Sequence, residues 1–327
     1  MSEQAADTTT TTTASSAASA AVTVLGLGRM GGPIAAALLG AGRVTTVWNR
    51  SPERAVPLLK QGARTAATVA DAVAASELVL VSLLDQRAVR DTLAAAAAHL
   101  RGRVVVNLTN NTPEEARELA AWVQERGARY LDGAMMALPE TVATPEAFFL
   151  YSGSPEAFAE HRESLELLAT AHFLGADPGL AEFEDLALLG SGYAALAGFL
   201  HSAALLASVG RPAAEFVPLV TRWLSGLLDF LPELAREVDA RSYDDAASTV
   251  GMNHTALTTL VDTARSQGVD TALHEPLREL LGRRLAEGRG ADSFSSVFEL
   301  LGRQGGSGGS VGSGGSGGSV GSDRGAG

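Results

Sequence analysis

Gly26-Leu-Gly28-Arg-Met-Gly31 follows the apolar run Val22-Thr-Val-Leu25 directly and opens a helical stretch, Pro33 to Leu39. No other feature constrains the fold as strongly, because each glycine meets a separate physical demand. Gly26 permits a tight turn, Gly28 lets backbone approach a pyrophosphate, and Gly31 lets helix and strand pack closely. A bare G-x-G-x-x-G is only a glycine-rich turn. Between a strand and a helix, with Leu27, Arg29 and Met30 completing the loop, it predicts a dinucleotide site.

The rest of the first half fits that reading. Val44-Thr-Thr-Val-Trp48 predicts a second strand, followed by a helix from about Pro52 to Gln61. Leu78–Leu83 and Arg103–Asn107 are apolar on both faces, as buried parallel strands are. Thr112-Pro-Glu-Glu115 predicts a helix start in which Thr112 caps, Pro113 fits the first turn and Glu115 closes a capping box. Further strands are expected near Arg129–Asp132 and Ala147–Tyr151. Strands alternating with helices imply an α/β class, a doubly wound parallel sheet. From Pro178 onward the periodicity is helical only, over Leu180–Leu206, Pro212–Val238, Ser242–Gln267 and Thr271–Gly288. The expected organisation is therefore a Rossmann domain over 21–176 and an interdomain helix with a helical domain over 177–303. Residues 1–20, with six threonines from Thr8 to Thr13, and the Gly/Ser-rich 304–327 have nothing apolar to bury and are expected to be disordered.

Composition narrows function. A net charge of −12, with no Lys/Arg-rich block, argues against nucleic acid or anionic membrane as partner. The absence of cysteine excludes disulfides, thiolate metal ligands and thiol nucleophiles. Glu3 and Asp7 do not fit a secretory signal, and the apolar run Tyr193–Leu206 is short of the ~20 residues of a membrane span. A soluble, cytoplasmic protein is expected. His161 and His172 have no ligand-like spacing and His254 stands alone, so no metal is predicted.

The end of the second strand selects the cofactor. NAD enzymes usually place Asp or Glu there for the ribose 2′-hydroxyl. This chain has Asn49-Arg50-Ser51, with Arg54 one turn on. Asn49 does not repel a phosphate, Arg50 and Arg54 can clamp one, and Ser51 can donate to it. The expected cofactor is NADPH.

Taken as a set, Gly26-Leu-Gly-Arg-Met-Gly31, Trp48-Asn-Arg-Ser51, Val106-Asn-Leu-Thr-Asn-Asn-Thr-Pro113, Leu131-Asp-Gly-Ala-Met-Met-Ala137, Leu150-Tyr-Ser-Gly153 and Asp185-Leu-Ala-Leu-Leu189 resemble the NADPH-dependent imine reductases and reductive aminases. Their wider relatives are the β-hydroxyacid dehydrogenases. The resemblance runs from about Val22 to Arg303. It implies a domain-swapped homodimer with shared active sites, an acidic residue at Asp185 and a tyrosine at Tyr193. It also implies a pocket that includes Asn110, Trp223, Met252 and Asn253. Asn111 stands where a glycine often sits, and Asn253 where some members carry glutamine.

The residues carry a parallel argument. The chain's single lysine, Lys60, lies on the second predicted helix, so nothing in 61–327 can do what a lysine on the interdomain helix does for an alcohol proton in β-hydroxyacid dehydrogenases. That helix offers Glu182, Glu184 and Asp185 instead. A carboxylate stabilises a cation, and reduction of C=N passes through an iminium. Tyr193 is eight residues from Asp185, about 80° around a helix, so both can face one cleft. Asn110 follows a strand at the carboxyl edge, where doubly wound sheets bind ligands. Met135, Met136 and Trp223 are candidates for an apolar wall, although such residues are more often core. The substrate expected is an imine, or a carbonyl plus an amine. The alternatives are a hydroxyacid dehydrogenase-like alcohol/carbonyl oxidoreductase and a non-catalytic NADP-binding sensor.

Overall fold

Strand β1 (Ala21–Leu25) and helix α1 (Gly31–Gly40) flank the glycine motif as its spacing predicts, and β2 (Val44–Trp48) pairs with β1 in parallel. The structure, a computed structural model, describes residues 21–244 and 246–302. The disorder expected of 1–20 and 304–327 falls outside the described residues.

After β2 come a 3-10 turn and a short helix α2 (Val56–Leu59), then β3 (Arg64–Thr65), α3 (Val69–Ala75), β4 (Leu78–Val81), α4 (Gln86–Ala95) and β5 (Val104–Asn107). The unit continues with α5 (Pro113–Gln124), β6 (Arg129–Met136), β7 (Phe148–Gly153), α6 (Pro155–Glu166) and β8 (Thr170–Gly175). The eight strands form one sheet in the order β3-β2-β1-β4-β5-β6-β7-β8. Strand order reverses beside β1, which creates the crevice at the carboxyl edge where such sheets take ligands.

The sheet is parallel except between β6 and β7, where Leu131 pairs with Gly153 and Met136 with Phe148. The expectation of a parallel sheet fails there for a geometric reason. A parallel return needs a crossover of a dozen or more residues, usually helical, whereas Met136 and Phe148 are joined by a loop holding only a 3-10 turn at Pro139–Thr141.

Alternate residues of the central strands feed two cores. Val22, Val24, Leu78, Leu80, Val104 and Val106 face Ile34 and Leu38 on one side. Val79, Val81 and Val105 face Val73, Val89, Leu93 and Leu119 on the other. Each such burial stabilises by about 1.5–3 kcal/mol. At the start of α5, Thr112 and Glu115 form the predicted capping box, with Thr112 Oγ1 accepting from the Glu115 N–H at 3.2 Å and Glu115 Oε2 from the Thr112 N–H at 2.9 Å.

The helical region comprises α7 (Leu180–Ala207), α8 (Ala213–Leu228), α9 (Leu231–Ala240), α10 (Val250–Ser266), α11 (Glu275–Ala286) and α12 (Phe298–Leu301). The stretch expected as one helix, Pro212–Val238, is two, since a new helix starts at Leu231 with Pro232 in its first turn. The helix expected from Ser242 starts at Val250. Left-handed Arg241 (φ 51°) ends α9, and Thr249 Oγ1 accepts from the Met252 N–H to cap α10.

The chain divides into two compact units, one ending at Gly192 and the other beginning at Tyr193, inside α7. The first turns of α7 belong to the sheet-bearing unit because Ala181 packs on Ala134 and Leu150. Ser152 Oγ also donates to the Pro178 carbonyl (2.8 Å) and accepts from the Ala181 N–H (3.0 Å). With 28 residues and a mean hydropathy of 1.3 over its most apolar window, α7 is long and apolar enough to cross a membrane by length and composition. The run Tyr193–Leu206 alone did not reveal this.

Candidate active site

The glycine turn is sterically fixed. Gly26 adopts φ +94°, and a Cβ there would lie 2.1 Å from the Ser82 carbonyl oxygen. A Cβ on Gly31 would lie 2.0 Å from the Gly26 carbonyl oxygen, whereas one on Gly28 would enter open space. Two glycines therefore hold backbone against backbone, and the middle one faces the room a ligand needs. Helix α1 starts at Met30 without a side-chain cap, so its first N–H groups suit a pyrophosphate oxygen. These features fit a bound dinucleotide.

Asn49 does more than avoid repelling a phosphate. Its Oδ1 accepts from the Leu27 N–H at 2.9 Å, and its Nδ2 donates to the Ser51 carbonyl at 2.9 Å. It thus ties the glycine loop to the end of β2. Arg54 Nη1 reaches the Leu27 carbonyl at 3.5 Å, while Arg29, Arg50 and Arg54 are otherwise exposed and Ser51 is half-buried. The cofactor candidates of the sequence are together in one place.

At the carboxyl end of β5, Asn110 is exposed, whereas Thr109 before it is buried and Asn111 after it half-buried. Asp132, in β6, is fully buried and accepts at Oδ1 from Tyr130 Oη (2.6 Å), Asn111 Nδ2 (3.2 Å) and Asn107 Nδ2 (3.3 Å). Its Oδ2 is buried with no hydrogen-bond partner among the described residues. Asn111, where a glycine was the common alternative, spends its amide on Asp132 and on the Thr109 carbonyl. On the first turn of α7, Glu182 is buried and faces Asp132; burial first, then the Asp132 charge, pushes its carboxyl up. Asp185, one turn further, is also buried, and that burial pushes its carboxyl up. It makes no side-chain hydrogen bond or ion pair among the described residues.

The remaining candidates are spread more widely. Met135 and Met136 are half-buried on β6, and Met135 packs against the core. Tyr193 (68% exposed), Trp223 (66%) and Met252 (63%) belong to the second unit and are largely uncovered by the described residues. Trp223 lines an apolar groove of about 460 Å³ with Phe199, Leu205 and His274. Asn253 Nδ2 is committed to Ser248 Oγ and the Thr249 carbonyl, both at 2.8 Å, so it braces the start of α10. Lys60 is exposed at the end of α2, on the cofactor domain. Sequence spacing gave His161 no ligand-like partners, yet the fold brings it within 4.8 Å of Glu77 and Glu160. Arg129 pairs with both carboxylates, at 2.9 and 2.6 Å. Sequence reasoning missed Asp132 as a buried hub; the signal available was a charged residue inside the apolar strand Tyr130–Ala134.

A dinucleotide-binding α/β unit followed by a unit built of helices defines an NAD(P)-dependent oxidoreductase. Residues 21–175 match the model of the NAD binding domain of 6-phosphogluconate dehydrogenase, and residues 177–303 that of the NADPH-dependent reductive aminase-like C-terminal domain. An NADPH-dependent reductive aminase of Aspergillus oryzae is 37% identical over 85% of this chain and 96% of its own length. A solved Aspergillus terreus reductive aminase, in complex with NADPH4, cyclohexanone and allyl amine, is 41% identical with a TM-score of 0.80, covering 86% of this chain and 99% of that one. An imine reductase from Myxococcus stipitatus, solved in complex with NADP+, is 30% identical with a TM-score of 0.80, covering 86% and 99%. The chain belongs to the family of NADPH-dependent reductive aminases and imine reductases, oxidoreductases acting on C=N.

Proposed function

We propose that this chain uses NADPH to reduce imines and iminium ions to amines, and that it joins carbonyls with amines reductively. Asp185 carries the reading. It is a buried carboxyl without a partner among the described residues, on a helix that holds no lysine, and such a group stabilises a cation and handles an amine proton. Gly26, Leu27, Gly28, Arg29, Met30 and Gly31 would hold the pyrophosphate, while Asn49, Arg50, Ser51 and Arg54 would hold the 2′-phosphate. When bound, NADPH supplies the hydride. Asn110 orients the substrate at the sheet edge, and Tyr193 orients the nitrogen or donates a proton. Met135, Met136, Trp223, Met252 and Asn253 form the pocket wall.

The working unit is a homodimer with exchanged helical domains and shared active sites. Supporting this, Leu186, Leu189, Tyr193, Leu196 and Leu200 on α7 and Leu219, Trp223 and Leu228 on α8 are all exposed in the single chain, more apolar surface than a monomer ordinarily leaves open. Burial of α7 between subunits gives its apolar length a role in a soluble, cytoplasmic protein that needs neither membrane nor nucleic acid. The domains divide functionally as 21–176 for cofactor and 177–303 for dimerisation and substrate.

The test is NADPH oxidation across cyclic imines, carbonyl–amine pairs and hydroxyacids. Turnover of a cyclic imine with NADPH supports the reading. Turnover confined to hydroxyacids, or cofactor binding without turnover, overturns it in favour of an alcohol dehydrogenase or a cofactor sensor respectively.

A further inference from the structure

Three side chains donate to one oxygen of Asp132, while the other oxygen, also buried, has no donor among the described residues. A buried carboxylate oxygen without a partner is costly, so a donor is expected nearby. Glu182 faces it from the first turn of α7, is 2% exposed, and can donate only in its protonated form. We propose that Asp132 and Glu182 share one buried proton, and that this hydrogen bond is a positioning element fixing Asp185 and Asn110 relative to each other. The proposal rests on the imine-reducing reading above.

The connectivity supports that role. Asp132 is the hub of three elements: its own strand through Tyr130, the loop after β5 through Asn111, and α7 through Glu182. Asn110 is the neighbour of Asn111, and Asp185 lies one turn beyond Glu182 on the same helix face. Clamping the two tethers therefore places one candidate residue from each side of the crevice. Two carboxylates in one buried site cannot both ionise cheaply: burial raises Asp132, whose contact with Glu182 holds it down, while burial and then the Asp132 charge raise Glu182. The pair thus keeps a proton at neutral pH and loses it in alkali. Tyr130 and Asp185 are the other titratable groups that face it, and Asn107 and Asn111 bring amides only. On the neighbouring α5, Arg117 is committed to Asp177, with both contacts at 2.8 Å.

The test uses the full chain with Glu182→Gln, Glu182→Ala and Asp132→Asn, and a permanently charged N-alkylated cyclic iminium, so that substrate protonation does not enter the pH profile. Gln keeps a donor and does not titrate. Glu182→Gln is expected to hold kcat at pH 7 within about threefold of the parent and to remove the parent's alkaline fall. Glu182→Ala should lower kcat at least tenfold at every pH, with NADPH affinity unchanged. Difference infrared spectroscopy on the cofactor-free protein should show a protonated carboxyl band that Glu182→Gln abolishes and that Asp132→Asn shifts, because its hydrogen-bond partner changes. That readout requires no activity, so a chain that reduces no imine yet shows the band fails the functional reading and not this one. An alkaline fall retained in Glu182→Gln, full activity in Glu182→Ala, or no protonated carboxyl band would each overturn the proposal.

Discussion

Asn49 offers a sharp test of how the end of β2 selects its cofactor. Its amide makes two hydrogen bonds, to the Leu27 N–H and to the Ser51 carbonyl, both at 2.9 Å. Each contributes about 0.5–1.5 kcal/mol, and water can replace part of that at a half-buried site, so Asn49→Ala should cost about 1–1.5 kcal/mol. In a chain of this size that lowers Tm by about 2–6 °C. Because the Leu27 amide belongs to the turn any dinucleotide must use, this variant should weaken NADPH and NADH alike, by roughly tenfold. Asn49→Asp behaves differently. It keeps the acceptor for Leu27 but turns a donor toward Ser51 into a repelling oxygen, and it sets a negative charge beside the 2′-phosphate site. It should also give the ribose of NADH the acidic partner it lacks. The ratio of kcat/KM for NADPH to that for NADH should fall by about 10²-fold, equivalent to about 2.8 kcal/mol. Steady-state kinetics with a saturating cyclic imine, and cofactor affinity by fluorescence, measure both effects. If Asn49→Asp lowered the two efficiencies equally, the phosphate would lie elsewhere and the assignment of Arg50, Ser51 and Arg54 would fall with it.

The other predictions are as direct. Asp185→Asn should lose about 10²–10⁴-fold in kcat without loss of NADPH affinity, and a parent rate would remove Asp185 from the chemistry. Its raised carboxyl makes the ionised form a liability in the folded state: the contribution is favourable below the ordinary carboxylate range and is lost as pH rises. The Asn variant should therefore match or exceed the parent Tm at pH 8, and a lower Tm would contradict that. Asp177, held down to about 2 chiefly by its hydrogen bonds to Arg117, works in the opposite sense, stabilising above its ordinary 3.8 and losing that as pH falls toward 2. The pair is exposed, so Asp177→Asn should lower Tm by no more than about 2 °C at pH 7, with the difference vanishing in acid. Gly31→Ala, with its Cβ forced against the Gly26 carbonyl, should cost about 1–3 kcal/mol and abolish measurable NADPH binding; calorimetry showing parent affinity would refute the tight-turn argument. Sedimentation at micromolar concentration should give twice the chain mass, and a fully active monomer would refute shared active sites.

Local chemistry was readable in the sequence wherever a short segment decides its own conformation. The glycine turn, the Thr112–Glu115 box and the doubly apolar strands β4 and β5 each follow from a handful of adjacent residues, and each is present. The break between α8 and α9 was missed because local propensity for helix continues through Leu227–Leu231, and only the turn at Asp229 and Phe230, ahead of Pro232 in the first turn of α9, interrupts it. The antiparallel β7 was missed because strand direction is set by what the connection can span.

By itself, then, the sequence determined the cofactor fold, the amide in place of an acid at Asn49, and an acidic rather than a basic group on α7. Those depend on residue identity and spacing along the chain. The tertiary structure alone decided which carboxylates are buried together. Asp132 and Glu182 are fifty residues apart, on a strand and a helix, and nothing local marks either as a partner of the other. Only the packing of α7 on β6 and β7 removes both from water, and desolvation is what changes their protonation.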